Sequence, residues 1–288
     1  MTDKKWTIGE IINWTKQYFS EKGVESPRLD AEVLLSHVLR KDRLYLYVNF
    51  DQPLENDELT RFRELVKRRA LREPVAYLLG RKEFMGLSFM VTPAVLIPRP
   101  DTEILVEYVS KKLAVKANPV FLDIGTGSGA IAVSLLTLLE EARGWAVDIS
   151  AEALTIAEKN AVALEVNGRL DYRQGDLYAP VGDRQFDAVV SNPPYISTKE
   201  MGTLAPELAF EPQKALTDGG DGLAFYRRLV AQGASYLKNG GFLAMEVGAE
   251  QSAAVCALAD SVSGLKVLEV IKDYAGIDRV VVLERRQV

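Results

Sequence analysis

The run Asn192-Pro193-Pro194-Tyr195 restricts the chemistry more than any other stretch of the chain. A turn that merely ended a strand would use one proline and an asparagine, not this tetrapeptide. The Asn192 side-chain oxygen can accept one hydrogen of a target NH2 group, and the Pro193 carbonyl can accept the other. Neither proline has an amide proton and both limit the backbone, so that carbonyl stays pointed at a small target. Tyr195 offers a flat surface on which an amide or a base can stack. Two acceptors on its hydrogens hold a planar nitrogen in line with an electrophile and favour the positive charge that develops as it becomes sp3-like.

A second constellation, DIGTGSGA at 123–130, supplies a place for the electrophile's carrier. Gly125, Gly127 and Gly129 let the backbone turn sharply and approach a ligand closely, and the helix that opens after them presents free amides. Asp148 ends the next strand, GWAVDI, at the distance from which a carboxylate accepts from ribose hydroxyls. NAD and S-adenosylmethionine both fit this pair. Asp123 either orients the glycine loop or accepts from a charged amine. Asp176 and Leu177 follow the third strand; the acid suits a base amino group or a turn cap, and the leucine can cover one face of adenine. Hydride transfer would leave the 192–195 run unused and would lack a nearby histidine, whereas methyl transfer from a sulfonium uses both constellations and requires no dedicated general base.

The elements that must position these residues fall into two regions. From 7 to 80 the periodicity is helical. Thr7 with Glu10 forms a capping box ahead of the face Ile8, Ile11, Ile12, Thr15 and Phe19. Ser26 caps and Pro27 opens a second helix with Leu29, Val33, Leu34 and Val38 on its apolar side. Leu59, Phe62, Leu65 and Val66 mark a third over 55–71, which Pro74 ends or bends, so a bundle of four or five helices is predicted. EFMGLSFMV predicts a hairpin turning at Gly86, and IPRP at 97–100 a connection. The expected division is a helical domain over 1–80, hairpin and linker over 81–100, and a catalytic domain over 101–288.

After 118, short apolar runs alternate with helical stretches, which specifies a mainly parallel sheet covered on both faces. VFLDI, GWAVDI, RLDY and FDAVVS are its first strands, with later ones at 241–246, 265–271 and 279–283. The last two have no room for a crossover helix between them and should be antiparallel. Residues 197–222 carry no predicted regular element and are expected to form a lid that orders against cofactor and partner.

Composition excludes several classes. A single histidine, His37, and a single cysteine, Cys256, rule out an internal disulfide and Cys-rich or His-rich metal centres, and they suit a reducing, cytoplasmic location. No run reaches the roughly 18 apolar residues of a membrane span. With 35 basic and 40 acidic residues, the chain does not resemble a nucleic-acid coat. Residues 1–80 hold 14 basic and 13 acidic residues; the rest holds 21 and 27.

IPRPDTE at 97–103, DIGTGSGAIA at 123–132, SNPPYI at 191–196 and FEPQKAL at 210–216 together resemble the peptide-chain-release-factor glutamine N5-methyltransferases, over almost the whole chain. The resemblance implies a Rossmann-like class I S-adenosylmethionine-dependent methyltransferase with a seven-stranded, mostly parallel sheet, preceded by a small helical bundle. It implies S-adenosylmethionine contacts from Gly125, Thr126, Gly127, Ser128, Gly129, Asp148, Leu177 and Asn192; Asp123, Ile149 and Asp176 are expected beside them from their places at the same sheet edge. It implies that Asn192, Pro193, Pro194 and Tyr195 hold the glutamine of the GGQ motif of bacterial class 1 release factors. No stable nucleic-acid partner, no membrane association and a monomer are expected beside it. Family members often carry an aromatic residue where Leu177 stands, so stacking on adenine is expected to be weaker here.

Arg99 is placed to bind the cofactor carboxylate or to brace the loop containing Glu103, and Glu211 to brace the 192–195 loop. The basic run Arg61, Arg63, Lys67, Arg68, Arg69 and Arg72 is a candidate release-factor surface or the solvated face of its helix. The competing enzyme class methylates an exocyclic amine of adenine or guanine in RNA or DNA, which the same four residues also fit but which needs a positive track for phosphates. A non-enzymatic adaptor would leave both constellations idle.

Overall fold

The computed structural model describes residues 5–286. They separate into two compact units, the first made of residues up to Gly80 together with Pro206–Phe210, the second of the remainder.

In the first unit, helix α1 (Ile8–Glu21) starts at the Thr7–Glu10 capping box and buries Ile8, Ile11, Ile12, Thr15 and Phe19. Helix α2 (Pro27–Leu39) has Pro27 in its first turn, but the Ser26 side chain makes no cap bond. Its buried stripe is Ala31, Leu34, Leu35 and Val38, while Leu29 is 43% exposed. The stripe follows the i, i+3, i+4, i+7 pattern, and Leu29 lies off it. A short α3 (Arg43–Val48), too brief to show a period, precedes α4 (Asn56–Ala70) and α5 (Val75–Leu79).

The basic run on α4 is largely neutralised. Arg61 pairs with Asp57, Lys67 with Glu64 and Arg68 with Glu73. Arg69 is buried, held by Asp30 at 2.7 Å and Glu207 at 2.9 Å, and Glu207 also takes Arg72 at 2.7 Å. These are bonds within one unit: they bind Pro206–Phe210 to the helices. An open positive surface built on the whole run is therefore not what the structure holds.

The second unit opens with β1 (Arg81–Phe84) and β2 (Leu87–Met90), an antiparallel pair whose two turn residues, Met85 and Gly86, both have positive φ, the turn sense that matches strand twist. Phe84 and Phe89 are fully buried in the core with α6 (Asp101–Leu113), so the hairpin packs as part of this unit. Next come β3 (Val120–Ile124), α7 (Ala130–Leu138), β4 (Arg143–Asp148), α8 (Ala151–Ala163), β5 (Leu170–Gln174) and β6 (Phe186–Ser191). Two one-turn helices, α9 (Thr198–Met201) and α10 (Gln213–Leu216), flank the 3-10 turn Pro206–Phe210. Single turns are too short for hydrophobic periodicity, which is why 197–222 reads as structureless in sequence.

The chain ends with α11 (Ala224–Tyr236), β7 (Leu237–Glu246), α12 (Ser252–Asp260), β8 (Leu265–Lys272) and β9 (Asp278–Arg285). The seven-stranded sheet has the order β5-β4-β3-β6-β7-β9-β8. Its first five strands are parallel, and β9 is antiparallel to both β7 and β8, as the short connection between the last two strands requires. One apolar layer joins α6, α7 and α8 to one face; a second joins α11 and α12 to the other. Among the described residues no helix is long and apolar enough to cross a membrane.

Candidate active site

β3, β4 and β6 run parallel and end side by side, which brings the glycine loop, Asp148 and Asn192 to one edge of the sheet. The chain reverses its strand order there, the usual place for a ligand crevice. The Ser191 hydroxyl donates to the Ile124 carbonyl at 2.7 Å and ties the end of β6 to that of β3.

The glycine loop is held by its own backbone and one acid. Gly125 and Thr126 donate to the Val147 carbonyl, and Gly127 donates to Asp148 Oδ2 at 2.9 Å. The other Asp148 oxygen accepts from Ser150 N. Gly125 and Gly127 have φ of +74° and +56°, and a Cβ on either would meet nothing within 4 Å. Glycine is thus required there by conformation, and open space lies beside the backbone. At Gly129 a Cβ would sit 3.1 Å from that of Ala157, so the third glycine lets α7 and α8 approach. Buried Asn160 on α8 braces the loop by donating to the Ser128 carbonyl at 2.8 Å, while exchanging two hydrogen bonds with Met90.

Asp123 is fully buried. Its Oδ2 accepts from Thr126 Oγ1 at 2.7 Å and from Ala132 N at 3.2 Å, whereas Oδ1 is buried with no partner. Burial pushes this carboxyl up to about 7 against those two hydrogen bonds. Oδ1 is one of five buried side-chain polar atoms without a partner among the described residues, and the only carboxylate oxygen among the five, so it is open to a donor. Beside Asp148, Ile149 exposes 59% of its surface. Asp176 is exposed and paired with Arg228 at 2.5 Å. Leu177 is buried in the apolar layer at φ +49°, a left-handed conformation that costs a bulky side chain roughly 1–2 kcal/mol.

Across the edge, Asn192 is fixed by residues from distant segments. Its Nδ2 donates to Thr102 Oγ1 at 3.1 Å, and that hydroxyl donates to Glu246 Oε2 at 2.6 Å. The Asn192 amide oxygen and the Pro193 carbonyl take no hydrogen bond from the described residues. Tyr195 OH reaches Glu246 Oε1 at 3.4 Å, and its ring packs on the second apolar layer, so its hydroxyl is pushed up by burial and by the Glu246 charge. Glu246 is itself pushed up to about 7 by burial, against the Thr102 bond and the Arg279 charge. The Tyr195 carbonyl accepts from Gln251 Nε2 at 2.9 Å, and Gly222, at φ +79°, lies so close that a Cβ there would come within 2.3 Å of it.

One sequence expectation is corrected here. Glu211 is buried but braces the 97–100 segment: it accepts from Ile97 N at 2.9 Å and pairs with Arg99. The 192–196 run is held from that side by backbone, with Ile196 N donating to the Leu216 carbonyl. Arg99 donates to Glu211 through Nη2 and its side chain remains partly exposed, while Glu103 accepts from Met85 N in the hairpin turn. Thr102, Glu246, Asn160, Gln251 and Gly222 are given no role of their own in the sequence reading. Glu246 was accessible to it by the rule that singled out Asp123 and Asp148, since it too is an acid ending an apolar strand.

This strand order, with a glycine loop after its first strand, an acid after its second and an acceptor-bearing asparagine after its fourth, defines a class I methyltransferase. Residues 10–80 match the family model described as PrmC N-terminal domain, and residues 100–226 that described as Methyltransferase small domain. The chain is 47% identical over 285 residues to the release factor glutamine methyltransferase of Geobacter sulfurreducens, covering 98% of each. It is 45% identical over 281 residues to that of Moorella thermoacetica, covering 98% of this chain and 99% of the relative. Among solved structures, a methyltransferase from Pyrococcus furiosus shares the fold with a TM-score of 0.52 at 20% identity, over 72% of this chain and 92% of the other. The chain belongs to the release factor glutamine methyltransferase family.

Proposed function

We propose that this enzyme transfers the methyl group of S-adenosylmethionine to the side-chain amide nitrogen, N5, of the glutamine in the GGQ motif of class 1 release factors. The observation that carries the reading is the free Asn192 oxygen: with Nδ2 committed to Thr102, Oδ1 is the atom left to meet a target NH2. The near-full-length relatives support the substrate class.

The residues present suit the cofactor. The orphaned Asp123 Oδ1 answers a cationic amine, the open backbone at Gly125 and Gly127 admits close approach, and Asp148 together with the exposed Ile149 provides an acceptor and an apolar surface for a nucleoside. Gly129, Thr126 and Ser128 keep that loop in place. Asp176 takes a peripheral role through Arg228, and Leu177 covers the base from within the apolar layer. When bound, S-adenosylmethionine supplies an activated methyl group on a sulfonium.

Asn192 Oδ1 and the Pro193 carbonyl accept the two amide hydrogens, while Tyr195 and Pro194 wall the pocket. Together they draw the nitrogen lone pair out of conjugation and stabilise the charge that grows on it, a kind of effect worth about 3–4 kcal/mol per well-placed group. The extra proton on the methylated amide leaves to water. The helical unit serves as the grip on the release factor, using exposed apolar side chains of α3 such as Leu44, Tyr47 and Val48.

The test is to incubate the protein with S-adenosylmethionine and a bacterial release factor and to locate added methyl by peptide mass spectrometry. Modification confined to the GGQ glutamine is expected, and Asn192→Ala should reduce it by roughly a hundredfold or more. Methylation elsewhere, or of added RNA instead, would overturn the substrate; undiminished transfer by Asn192→Ala would overturn the site.

A further inference from the structure

An asparagine amide presents either its oxygen or its nitrogen to a ligand, and only a neighbour of defined hydrogen-bond polarity decides which. At Asn192 that neighbour is a hydroxyl, which has no polarity of its own. Thr102 Oγ1 can accept from an NH2 group or donate to a carbonyl oxygen, and its direction is set one bond further away. Glu246 Oε2 lies 2.6 Å from Thr102 Oγ1 in a fully buried position at the end of β7. An ionised carboxylate can only accept, so it claims the Thr102 proton. The hydroxyl must then accept from Asn192 Nδ2, and the Asn192 oxygen is turned outward.

We propose that Thr102 and Glu246 are positioning residues that set the sense of the Asn192 amide, making it an acceptor toward the target nitrogen. The proposal rests on the reading of Asn192 given above and extends it to two side chains that touch neither substrate nor cofactor. Their separation in sequence, on α6 and β7, is bridged by the fold alone.

The relay is sensitive to protonation. Groups facing Glu246 are Asp101 and Thr102 from α6, Tyr195 from the loop after β6, Tyr226 from α11, whose hydroxyl donates to the Glu246 main-chain carbonyl at 2.9 Å, and Arg279 from the start of β9. Arg279 is itself shared with Asp101 at 3.2 Å and Asp273 at 2.9 Å. Once Glu246 is protonated it can donate to Thr102. The hydroxyl proton is then released toward Asn192, the amide loses its fixed sense, and two donors can face a target that is itself a donor. Burial holds this titration near neutrality, at about 7. Activity should therefore fall on the acid side as Glu246 takes up its proton.

The test measures kcat for release-factor methylation at saturating S-adenosylmethionine, where cofactor-binding groups do not enter, over pH 5.5 to 9. Thr102→Val should lower kcat roughly 10- to 100-fold with the cofactor KM little changed. Thr102→Ser, which restores the hydroxyl, should recover most of it. Wild-type kcat should decline below about pH 7, and Glu246→Gln, which keeps an acceptor oxygen but cannot titrate, should lack that decline. A merely structural role would alter stability without removing the acid limb. If Thr102→Val turns over like wild type while Asn192→Ala is inactive, or if Glu246→Gln keeps the same acid limb, the relay is wrong and the site reading stands. If Asn192→Ala is fully active, both fall. Should Thr102→Val not fold, the Glu246→Gln profile decides.

Discussion

The two halves of the ligand edge are built in opposite ways. The glycine-loop half is local: Asp123, Gly125, Gly127, Thr126 and Asp148 fall within 26 residues, and backbone amides make most of its bonds. The target half is assembled from afar. Asn192 takes its orientation from Thr102, Thr102 from Glu246, and the Tyr195 carbonyl is pinned by Gln251 and Gly222. A site that must bind a cofactor shared by many enzymes can be made from one βαβ segment. A site that must turn one particular amide oxygen toward one nitrogen needs side chains whose partners only tertiary structure supplies.

The sharpest way to break this contrast is Gly222→Ala. Residue 222 is at φ +79°, and an added Cβ would meet the Tyr195 carbonyl oxygen at 2.3 Å, a backbone atom that cannot step aside without moving the 192–195 run. A displacement of about 1 Å in a reacting group costs on the order of a hundredfold in rate. The expected outcome is a kcat loss of that size with cofactor affinity, read by isothermal titration calorimetry, within about threefold of wild type. Equal damage to both would mean that the halves are one mechanical unit.

The same contrast governs what the sequence made legible. The parallel sheet, its antiparallel end, the hairpin at Gly86 and the glycine loop all follow from patterns confined to 5–20 residues, and each lies where those patterns put it. Glu211 is expected at the 192–195 loop, whereas its carboxylate reaches Ile97 N, 114 residues away, a pairing that no local pattern carries. On α4 the solvated-face reading holds for Arg61, Lys67 and Arg68, which stay exposed beside partners within five residues, but it fails for buried Arg69. Asp30 and Glu207, which bury Arg69, come from 39 residues before it and 138 after. Leu177 in the left-handed region has no sequence signal at all, since nothing in a leucine announces a strained backbone.

A second prediction sharpens the comparison through pH. Asp123 is an ordinary carboxylate in the unfolded chain, with a value near 4, and is pushed up to about 7 in the folded one. Between those values the folded state holds a proton that the unfolded state has lost, so stability is greatest below about 4 for this group and falls as pH rises toward 7. Three units correspond to at most about 4 kcal/mol, and Glu246 adds a drift of the same sign. Asp123→Asn removes the titration while keeping an oxygen for Thr126 and Ala132. Urea unfolding without cofactor should show a smaller loss between pH 5 and pH 8 than in wild type, and cofactor affinity should drop roughly 10- to 100-fold because the ionic partner for an amine is gone. An unchanged pH slope would mean that Asp123 stays ionised in the fold. An unchanged affinity would remove it from the cofactor site.

The smallest effect belongs to Ile149. It sits directly after Asp148, and 59% of its surface is open, an arrangement that contributes little to folding. If its side chain covers the nucleoside of the cofactor, Ile149→Ala forfeits part of about 2 kcal/mol of apolar contact only when ligand is bound. Cofactor Kd should rise roughly three- to tenfold, with kcat at saturation and the unfolding midpoint of the free protein both essentially unchanged. That combination would place the residue wholly in the local half of the edge, as a binding surface with no share in orienting the amide. A fall in kcat without a change in Kd would instead make Ile149 part of the target half and erase the division between local binding and long-range orientation.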